Sequence, residues 1–307
     1  MLSARADATR RVVVKNNPIV TIACLTYNHG PYIRKAIDSF LAQKTEYDFE
    51  IVVHDDASTD DTVTILQEYK SRYPDIIRLV LRDSNQYSLG VSKMFYHGII
   101  KGAHSKYIAT CEGDDYWIDD MKLQKQISFL EDNPDYTFSV GSIRQLDDKS
   151  GVITDVKERF EIDSKQYFTV KDYLKYFFSQ TSTYVFRREG YVMPSYCNRF
   201  HGEDILLVVL GTGSGKIKYH EDIFSVYRKH AGGVTSKEFN WRMHYLDIVN
   251  YTEALREIVG RKYSLVFLSI RARLFVDYKL KTTKTPLGRK IYRIMGAINN
   301  RLRWKLL

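Results

Sequence analysis

Residues 19–43 read IVTIACLTYNHGPYIRKAIDSFLAQ and contain a complete strand–loop–helix unit. The run IVTIACL predicts a strand buried on both faces, because such strands are continuously apolar rather than alternating. After the polar segment TYNHG, apolar residues recur at the three- and four-residue spacing of a helix, and Pro31 suits its first turn. The stretch therefore predicts a buried strand that leads through a polar loop into a helix packed on the sheet.

The same alternation continues along the next part of the chain. Apolar runs predict strands at 49–54, 76–82 and 106–111, and a helical pattern follows each of them. Strands that alternate with helices indicate a parallel sheet with helices on both faces. Right-handed crossovers bring the carboxyl ends of all these strands to one edge, where ligands of such sheets bind. We expect an α/β fold with a mostly parallel sheet.

Polar segments follow all four predicted strands at that edge. They are TYNHG (26–30), DDASTDD (55–61), RDSNQY (82–87) and EGDDYW (112–117). Packing does not explain four polar segments at one edge of a sheet. They therefore predict a ligand site.

The segment EGDDYW places three carboxylates, Glu112, Asp114 and Asp115, within four positions. Neighbouring negative charges repel and raise one another's pKa, and a divalent cation would offset that repulsion. Oxygen ligands suit Mg²⁺ or Mn²⁺, which bind one or two carboxylates together with substrate phosphates. Gly113 permits a close backbone approach. The alternative is an acidic turn that caps the helix beginning near Asp119.

These segments, in this order, resemble the family 2 glycosyltransferases of the GT-A fold over residues 18–235. Members of that family carry a T-x-N-like segment after the first strand, D-D-x-S-x-D after the second and a DxD-type metal motif after the fourth. The corresponding residues here are 26–28, 55–60 and 112–115. Glu112 stands where many members have Asp, which keeps the carboxylate. The resemblance implies a Rossmann-like sheet and inverting transfer of sugar from a nucleotide sugar, with UDP as the expected nucleotide.

Site residues follow from the resemblance, position by position. A carboxylate such as Asp56 accepts hydrogen bonds from a base N–H or a ribose hydroxyl, but it also suits a helix N-terminus. Arg82 contacts the base or a phosphate, or else lies on a solvated rim. The residues implied in nucleotide binding are Thr26, Tyr27, Asn28, Asp55, Asp56, Arg82 and Asp114. Those implied in binding Mn²⁺ or Mg²⁺ are Asp115, Asp114, Glu112 and His230, the last from the segment YRKH.

The segment HGEDILLVV (201–209) supplies the expected base. Family members carry an E-D-like pair at the start of a helix here, which implies Asp204 as base with Glu203 as the second candidate. A sugar hydroxyl is a poor nucleophile at neutral pH, so a positioned carboxylate has to accept its proton. Both acids would equally suit the positive end of a helix without any catalytic role.

Charge is distributed unevenly along the chain. The net charge is +9, and residues 261–307 hold 13 Lys or Arg and one acid, which leaves −3 for the remainder. Basic residues mixed with Leu, Ile, Phe and Trp at helical spacing predict an interfacial helix on an anionic membrane. The alternative is a helical appendage packed on the domain. Cys24 and Cys111 end apolar runs and read as buried free thiols of a reducing compartment.

Three regions are expected along the chain. They are an N-terminal extension (1–17), a GT-A domain with donor (18–135) and acceptor (136–235) halves, and a helical basic region (236–307). The N-terminus lacks a long apolar run, and no window reaches about 18 apolar residues, so neither a secretory signal nor a membrane span is expected. We expect a cytoplasmic enzyme at the inner face of the cell membrane, acting on a glycan or lipid-linked acceptor in cell-surface polysaccharide synthesis.

Two other classes of protein are alternatives to this interpretation of the sequence. The basic region would suit a nucleic-acid-binding or membrane-binding protein, although no RNP-like, helix-turn-helix or zinc-ligand spacing occurs. A sugar-nucleotide nucleotidyltransferase usually opens with a Gly-rich phosphate loop after its first strand, whereas TYNHGPY contains one glycine. The Q-x-x-R-W segment of processive polymerases is also missing, which favours single additions.

Overall fold

The computed structural model describes residues 18–89, 95–156, 167–194, 203–233, 252, 255–260 and 264–295. The predicted N-terminal extension (1–17), the predicted boundary at residue 236 and Cys197 lie outside these described residues.

The strands form one mixed sheet. Their bounds are β1 Val20–Thr26, β2 Phe49–Asp55, β3 Ile77–Leu81, β4 Tyr107–Glu112, β5 Tyr116–Trp117, β6 Tyr136–Asp147, β7 Ile153–Val156, β8 Val185–Arg187 and β9 Lys216–Lys229. The order is β3–β2–β1–β4–β8–β6–β9–β5, and β7 pairs with β6.

Helices cover this sheet. Their bounds are α1 Gly30–Leu41, α2 Thr62–Arg72, α3 Gln86–Leu89, α4 Phe95–Gly102, α5 Lys122–Asp132, α6 Val170–Tyr176, α7 Glu203–Thr212 and α8 Ser264–Thr282, with a 3₁₀ turn at Thr181–Thr183. A further helix, called here the C-terminal helix, spans 286–295.

The first half of the sheet is parallel, as the alternating pattern predicts. Strand β1 pairs in parallel with β2 and β4, and β2 with β3. Thr26 lies opposite Asp55, and Leu25 lies opposite Glu112. This register brings the polar loops that follow β1, β2 and β4 to one edge.

The second half is mixed, because β8 runs antiparallel to both β4 and β6. Strand β6 then pairs in parallel with the long strand β9. The two-residue strand β5, which the sequence did not predict, pairs antiparallel with Ser225 and Val226 of β9. The loop between β4 and β5 therefore lies beside the end of β9, where Arg228 and His230 are located.

Helix α1 shows why the first unit folds as predicted. Its residues Ile33, Ala36, Ile37 and Phe40 recur at helical spacing, and all four are buried in the core under the sheet. The Phe40 ring lies 4.7 Å from the ring of Trp117, which is buried as well. Cys24 and Cys111 are buried free thiols, in agreement with their positions in apolar runs.

Helix α8, in the basic C-terminal region, packs on the domain. Phe267 and Val276 of α8 are buried, and Phe267 packs in a cluster with Leu206, Val209 and Leu210 of α7. Helix α8 is thus an appendage packed on the domain, which was one of the two alternatives for this region. None of the helices in the described parts of the chain combines the length and apolar character that a membrane span requires.

Lys122, at the start of α5, has an unusual environment. Its side chain is fully buried, and among the described residues Nζ has no hydrogen-bond partner; it lies 4.2 Å from the Trp117 ring. Burial lowers the pKa of Lys122 from 10.5 to about 7. The folded chain therefore binds this proton less tightly than the unfolded chain does. The resulting cost is fully present below pH 7 and disappears as the pH rises towards 10.5.

We expect Lys122→Met to raise the free energy of unfolding at pH 6 by roughly 2–4 kcal/mol, since the contact with Trp117 already offsets part of the desolvation cost. Denaturant unfolding between pH 6 and 10 measures this. The variant should also lose part of the rise in stability with pH. Lys171→Met, which removes an exposed lysine, is the matched control. Equal pH dependence in both variants would contradict the assignment of this cost to Lys122.

Candidate active site

The loops after β1 and β2 are tied together by side-chain hydrogen bonds. Asn28 Oδ1 accepts from the backbone N–H of Thr59 at 2.8 Å, and Ser58 Oγ accepts from the N–H of Asn28 at 2.8 Å. Asp60 Oδ2 accepts from the N–H of Gly30 at 2.9 Å, at the start of α1. The two loops therefore form one connected rim at the carboxyl edge of the sheet.

Two residues of this rim have left-handed backbones. The φ angles are 55° at Asn28 and 62° at Ala57. Asparagine tolerates this region, whereas alanine there is strained. The buried carboxylate of Asp55 holds the turn at Ala57, since it accepts from both the N–H and the hydroxyl of Ser58. Burial raises the pKa of Asp55. Asn28 and Asp55, which the sequence predicts to bind the nucleotide, thus hold the loops after β1 and β2 in their conformation.

Asp56 connects the second loop to the third. Its Oδ1 accepts from the N–H of Gln86 at 2.9 Å, and its Oδ2 accepts from the N–H of Tyr87 at 3.0 Å. A carboxylate can accept about four hydrogen bonds, so it retains capacity for a ligand. Arg82 lies at the end of β3, where its Nε donates to His54 Nε2 at 3.0 Å. These predicted residues therefore come together at one edge.

Thr26 and Tyr27 follow β1 at the same edge. The side chain of Thr26 is buried, and its Oγ1 has no hydrogen-bond partner among the described residues. A buried hydroxyl is costly unless it is hydrogen-bonded, so a ligand oxygen would suit it. Tyr27 is 41% exposed and available to contact a ligand.

Gly113 allows the fourth loop, which follows β4 and is called here the acidic loop, to lie against the first loop, which follows β1. Its N–H donates to the carbonyl of Leu25 at 2.8 Å. A Cβ at this position would lie 2.8 Å from Ile33 Cδ1 and 3.1 Å from His29 Nδ1, which is too close for a larger residue. The glycine therefore brings the acidic loop next to His29.

A candidate metal-ligand cluster results from this contact. Asp114 Oδ2 lies 3.0 Å from His230 Nε2 and 3.6 Å from His29 Nε2. The ligand atoms of the three residues all lie within 4.8 Å of one another. The sequence motifs indicated Asp114 and His230 as ligands but not His29. The available signal was the position of His29 in the polar segment after β1, at the edge shared with Asp114.

The other two predicted metal ligands lie beside this cluster rather than in it. Glu112 Oε1 accepts from the hydroxyl of Tyr96 at 2.9 Å, whereas Glu112 Oε2 is buried with no partner in the described parts of the chain. Asp115 is buried, and its Oδ1 accepts from the backbone N–H of Arg228 at 2.8 Å. Both acids therefore contact the protein through at least one oxygen.

The three acids of the acidic loop differ in the direction in which the protein shifts their pKa. Burial and the charge of Asp114 raise the pKa of Glu112 to about 7. Burial, with the charges of its two neighbours, raises the pKa of Asp115 well above its ordinary value. Burial also opposes ionisation of Asp114, but the bond to His230 and the nearby His29 outweigh it and lower the pKa of that carboxyl. Asp114 is the acid that these neighbours keep ionised.

Arg228 holds the end of β9 onto the fourth loop. Its Nε donates to the carbonyl of Asp114 at 3.0 Å, and its Nη1 donates to Asp148 Oδ1 at 2.7 Å. The guanidinium carbon lies 4.6 Å from the centre of the Tyr32 ring. These contacts set the distance between His230 and the acidic loop.

The residues of the cluster fit a divalent cation. Two imidazole nitrogens and one carboxylate oxygen form a common donor set for first-row metals. Burial lowers the pKa of His29, which favours the neutral imidazole that binds metals. The buried and unpartnered His29 Nδ1 and Glu112 Oε2 are further polar atoms beside it among the described residues. Since Mg²⁺ prefers oxygen ligands, this set suits Mn²⁺ better.

Glu203 and Asp204, at the start of α7, differ in their surroundings. Glu203 is buried, and its Oε1 accepts from the N–H of His97 at 2.7 Å, at the start of α4. Burial raises the pKa of Glu203 to about 8. Asp204 is exposed to solvent, yet the protein atoms around it raise its pKa by desolvation. A carboxyl that solvent reaches and that neighbouring protein atoms partly desolvate suits a base.

The charges of Asp204 and Glu112 both act on one buried tyrosine, Tyr184. Burial raises the pKa of Tyr184 above its ordinary value, and the charges of Asp204 and Glu112 both add to that shift. Glu203, in contrast, is engaged in holding α4.

Sequence comparison identifies relatives over most of the chain. The model of "Glycosyl transferase family 2" matches residues 21–191. Uncharacterized protein Rv1520 of Mycobacterium tuberculosis is 34% identical over 74% of this chain and 62% of its own length. WfaP of Escherichia coli, a UDP-Glc:alpha-D-GlcNAc-diphosphoundecaprenol beta-1,3-glucosyltransferase, is 30% identical over 72% of this chain and 81% of its own. The chain thus spans about 62% of the length of the first of these relatives.

Solved structures share the fold. TarS of S. aureus, residues 1–349 in complex with UDP-GlcNAc, superposes with a TM-score of 0.56 at 17% identity, covering 92% of this chain and 90% of its own. The mannosyltransferase PcManGT of Pyrobaculum calidifontis, in complex with GDP-Man and Mn²⁺, gives 0.57 at 16% identity, covering 92% of this chain and 84% of its own. At these identities the likeness concerns the fold.

The prediction of family and of an α/β GT-A fold is confirmed by these matches. They do not favour a nucleic-acid-binding protein or a nucleotidyltransferase. Because the family model matches more than half of the residues of this chain, the chain belongs to glycosyl transferase family 2.

Proposed function

We propose that this chain is a metal-dependent, inverting glycosyltransferase that moves a sugar from a nucleoside diphosphate sugar to an acceptor hydroxyl. The observation that carries the proposal is the cluster of His29, Asp114 and His230, whose ligand atoms lie within 4.8 Å of one another. The loops that hold Asp55 and Asp56 lie at the same edge of the sheet. This position would make the proposed cation and nucleotide sites adjacent, as the transfer requires.

His29, Asp114 and His230 would hold the cation in this proposal. A divalent cation there would stabilise the charge that develops on the diphosphate leaving group. We propose Mn²⁺ rather than Mg²⁺, because two of the three donors are imidazoles. Asp115 and Glu112 flank this cluster, where Asp115 fixes the backbone of Arg228. The Mn²⁺ in the structure of PcManGT supports the choice for a protein of the same fold.

The donor nucleotide would lie on the rim formed by the first three loops. Thr26 and Tyr27 would line the nucleotide pocket, and Arg82 would lie at its edge. Asp56, which already accepts from the N–H of Gln86, would contact the base or ribose with its remaining acceptor capacity. Asn28 and Asp55 keep the loops in position. We propose a UDP-sugar as donor, since the named relative WfaP uses UDP-Glc.

Asp204 would act as the base. It accepts the proton of the acceptor hydroxyl while that oxygen attacks the anomeric carbon from the face opposite the leaving diphosphate. A base with a raised pKa is a better proton acceptor near neutral pH, provided that it stays ionised. A single displacement inverts the anomeric centre and needs no second carboxylate as nucleophile.

The acceptor proposed is the hydroxyl of a glycan or of a lipid-linked oligosaccharide used for cell-surface polysaccharide. The name of WfaP, whose acceptor is a diphosphoundecaprenol-linked sugar, supports a lipid-linked one. In this proposal residues 18–135 form the donor half, residues 136–235 form the acceptor half, and residues 236–307 form the basic region. The enzyme would work in the cytoplasm at the inner face of the cell membrane.

A donor panel tests the proposed function. The protein is incubated with UDP-, GDP- and dTDP-sugars in Mn²⁺, Mg²⁺ or EDTA, and release of nucleoside diphosphate is measured. We expect one UDP-sugar to be consumed, at least about tenfold faster with Mn²⁺ than with Mg²⁺, and no release in EDTA. Equal release in EDTA and Mn²⁺ would overturn the metal dependence. Consumption of a GDP- or dTDP-sugar alone would overturn the proposed nucleotide.

A further inference from the structure

The C-terminal helix (286–295) differs from the helix that precedes it. Helix α8 buries Phe267 and Val276 against the domain. The C-terminal helix contacts α8 through Tyr292, whose ring centre lies 6.3 Å from that of Phe275. All its other residues except Gly288 are exposed. It is attached to the domain along one side and leaves the rest of its surface accessible.

The exposed surface of this helix is amphipathic. At about 100° per residue, the four large apolar residues fall within an arc roughly 100° wide. These residues are Leu287 (70% exposed), Ile291 (48%), Ile294 (52%) and Met295 (41%). A contiguous apolar arc on an exposed helix is unusual in a soluble protein and marks an interaction surface.

A basic arc adjoins the apolar one. Arg289, Lys290 and Arg293 occupy a second arc of about 100° on the same helix. From residue 278 to residue 307 the sequence contains nine Lys or Arg and no acid. The combination of an apolar arc with an adjoining basic arc is the pattern of helices that lie in the plane of a membrane interface.

We propose that the C-terminal helix docks this protein on an anionic phospholipid surface. The apolar arc would enter the boundary between headgroups and acyl chains, and the basic arc would contact the anionic headgroups. A nucleic acid would neutralise the basic arc but leave the apolar arc in water. A second copy of the chain, packed through the apolar arc, would bring two basic arcs together. Lipid therefore satisfies both arcs at once.

Docking itself is independent of donor and metal. Only its consequence, that a membrane-bound enzyme meets a lipid-linked acceptor, rests on the proposed function. The test therefore measures binding to vesicles and requires no sugar transfer. Its failure can thus be distinguished from failure of the donor assay.

Vesicle flotation tests the proposal with the full chain. Vesicles of pure phosphatidylcholine are compared with vesicles that contain phosphatidylcholine and phosphatidylglycerol in equal parts. We expect binding to the anionic vesicles, at least about tenfold weaker binding to the neutral ones, and weakening by salt. Leu287→Glu/Ile291→Glu should reduce the partition coefficient at least about tenfold, because it places two charges in the apolar arc.

A matched control variant separates this surface from a general loss of hydrophobicity. Val152→Glu/Ile153→Glu changes two apolar residues of similar exposure, at 55% and 52%, near the β6–β7 turn. It should bind like the unchanged protein. Equal binding by both double variants would overturn the proposal, as would binding to single-stranded RNA in place of vesicles. A dimer that dissociates on Leu287→Glu/Ile291→Glu, without vesicle binding, would assign the surface to a second copy instead.

Discussion

Asp204→Asn should lower kcat for sugar transfer by about 10²–10⁴-fold while changing the KM for the donor little. The substitution keeps the size of the side chain but removes its ability to accept a proton. Asp204 is exposed at the start of α7, and the protein around it raises its pKa, so that it is suited to proton transfer. Steady-state kinetics with donor and acceptor measures both constants.

Glu203→Gln provides the contrast for this first prediction. Its carbonyl can still accept from the N–H of His97, so α4 keeps its contact and the loss in kcat should be much smaller. Glu203→Ala removes that acceptor and should cost about 1 kcal/mol of stability. If Glu203→Gln loses as much kcat as Asp204→Asn, or more, the assignment of the base to Asp204 is wrong.

Asp114→Asn should reduce the Mn²⁺-dependent release of nucleoside diphosphate by roughly 10³-fold. Asp114 is the single carboxylate of the cluster, and its Oδ2 lies within 3.6 Å of both imidazoles. The neutral amide is a weaker ligand and adds no charge to balance the cation. Calorimetry should show the loss of a Mn²⁺ site with the fold unchanged by circular dichroism.

Asp75→Asn is the matched control for that variant. Asp75 is an exposed acid that precedes β3, at the opposite edge of the sheet from the cluster. It should retain full activity and full Mn²⁺ affinity. His29→Gln tests the third residue of the cluster, which no sequence motif indicated, and it should weaken Mn²⁺ binding about 10-fold or more. Unchanged Mn²⁺ affinity in both Asp114→Asn and His29→Gln would remove the cluster as the metal site.

The first half of the fold could be predicted from the sequence because its signals are local. The apolar run of β1, the helical spacing of Ile33, Ala36, Ile37 and Phe40, and the polar segments after the strands are each readable within a short window. Parallel strands with right-handed crossovers then leave one choice for the edge where the loops meet. The register between β1, β2 and β4 agrees with that edge. The two-residue strand β5 was not predictable, because its pairing with β9 has no local pattern.

The division of the candidate site into ligands, supports and base required the tertiary structure. Asp114 and His230 are 116 positions apart, and their 3.0 Å approach depends on β5, β9 and Arg228 together. Asp56 and Asp115 accept from backbone N–H groups of residues that are distant in the sequence. Tertiary packing therefore decides which of their oxygens are already hydrogen-bonded. The basic region divides for the same reason, because only packing against α7 separates α8 from the exposed C-terminal helix. By itself the sequence determined the α/β frame and the edge that carries the polar loops, because periodicity and loop chemistry act over a few residues. The long-range contacts decided which of those loop residues can act together.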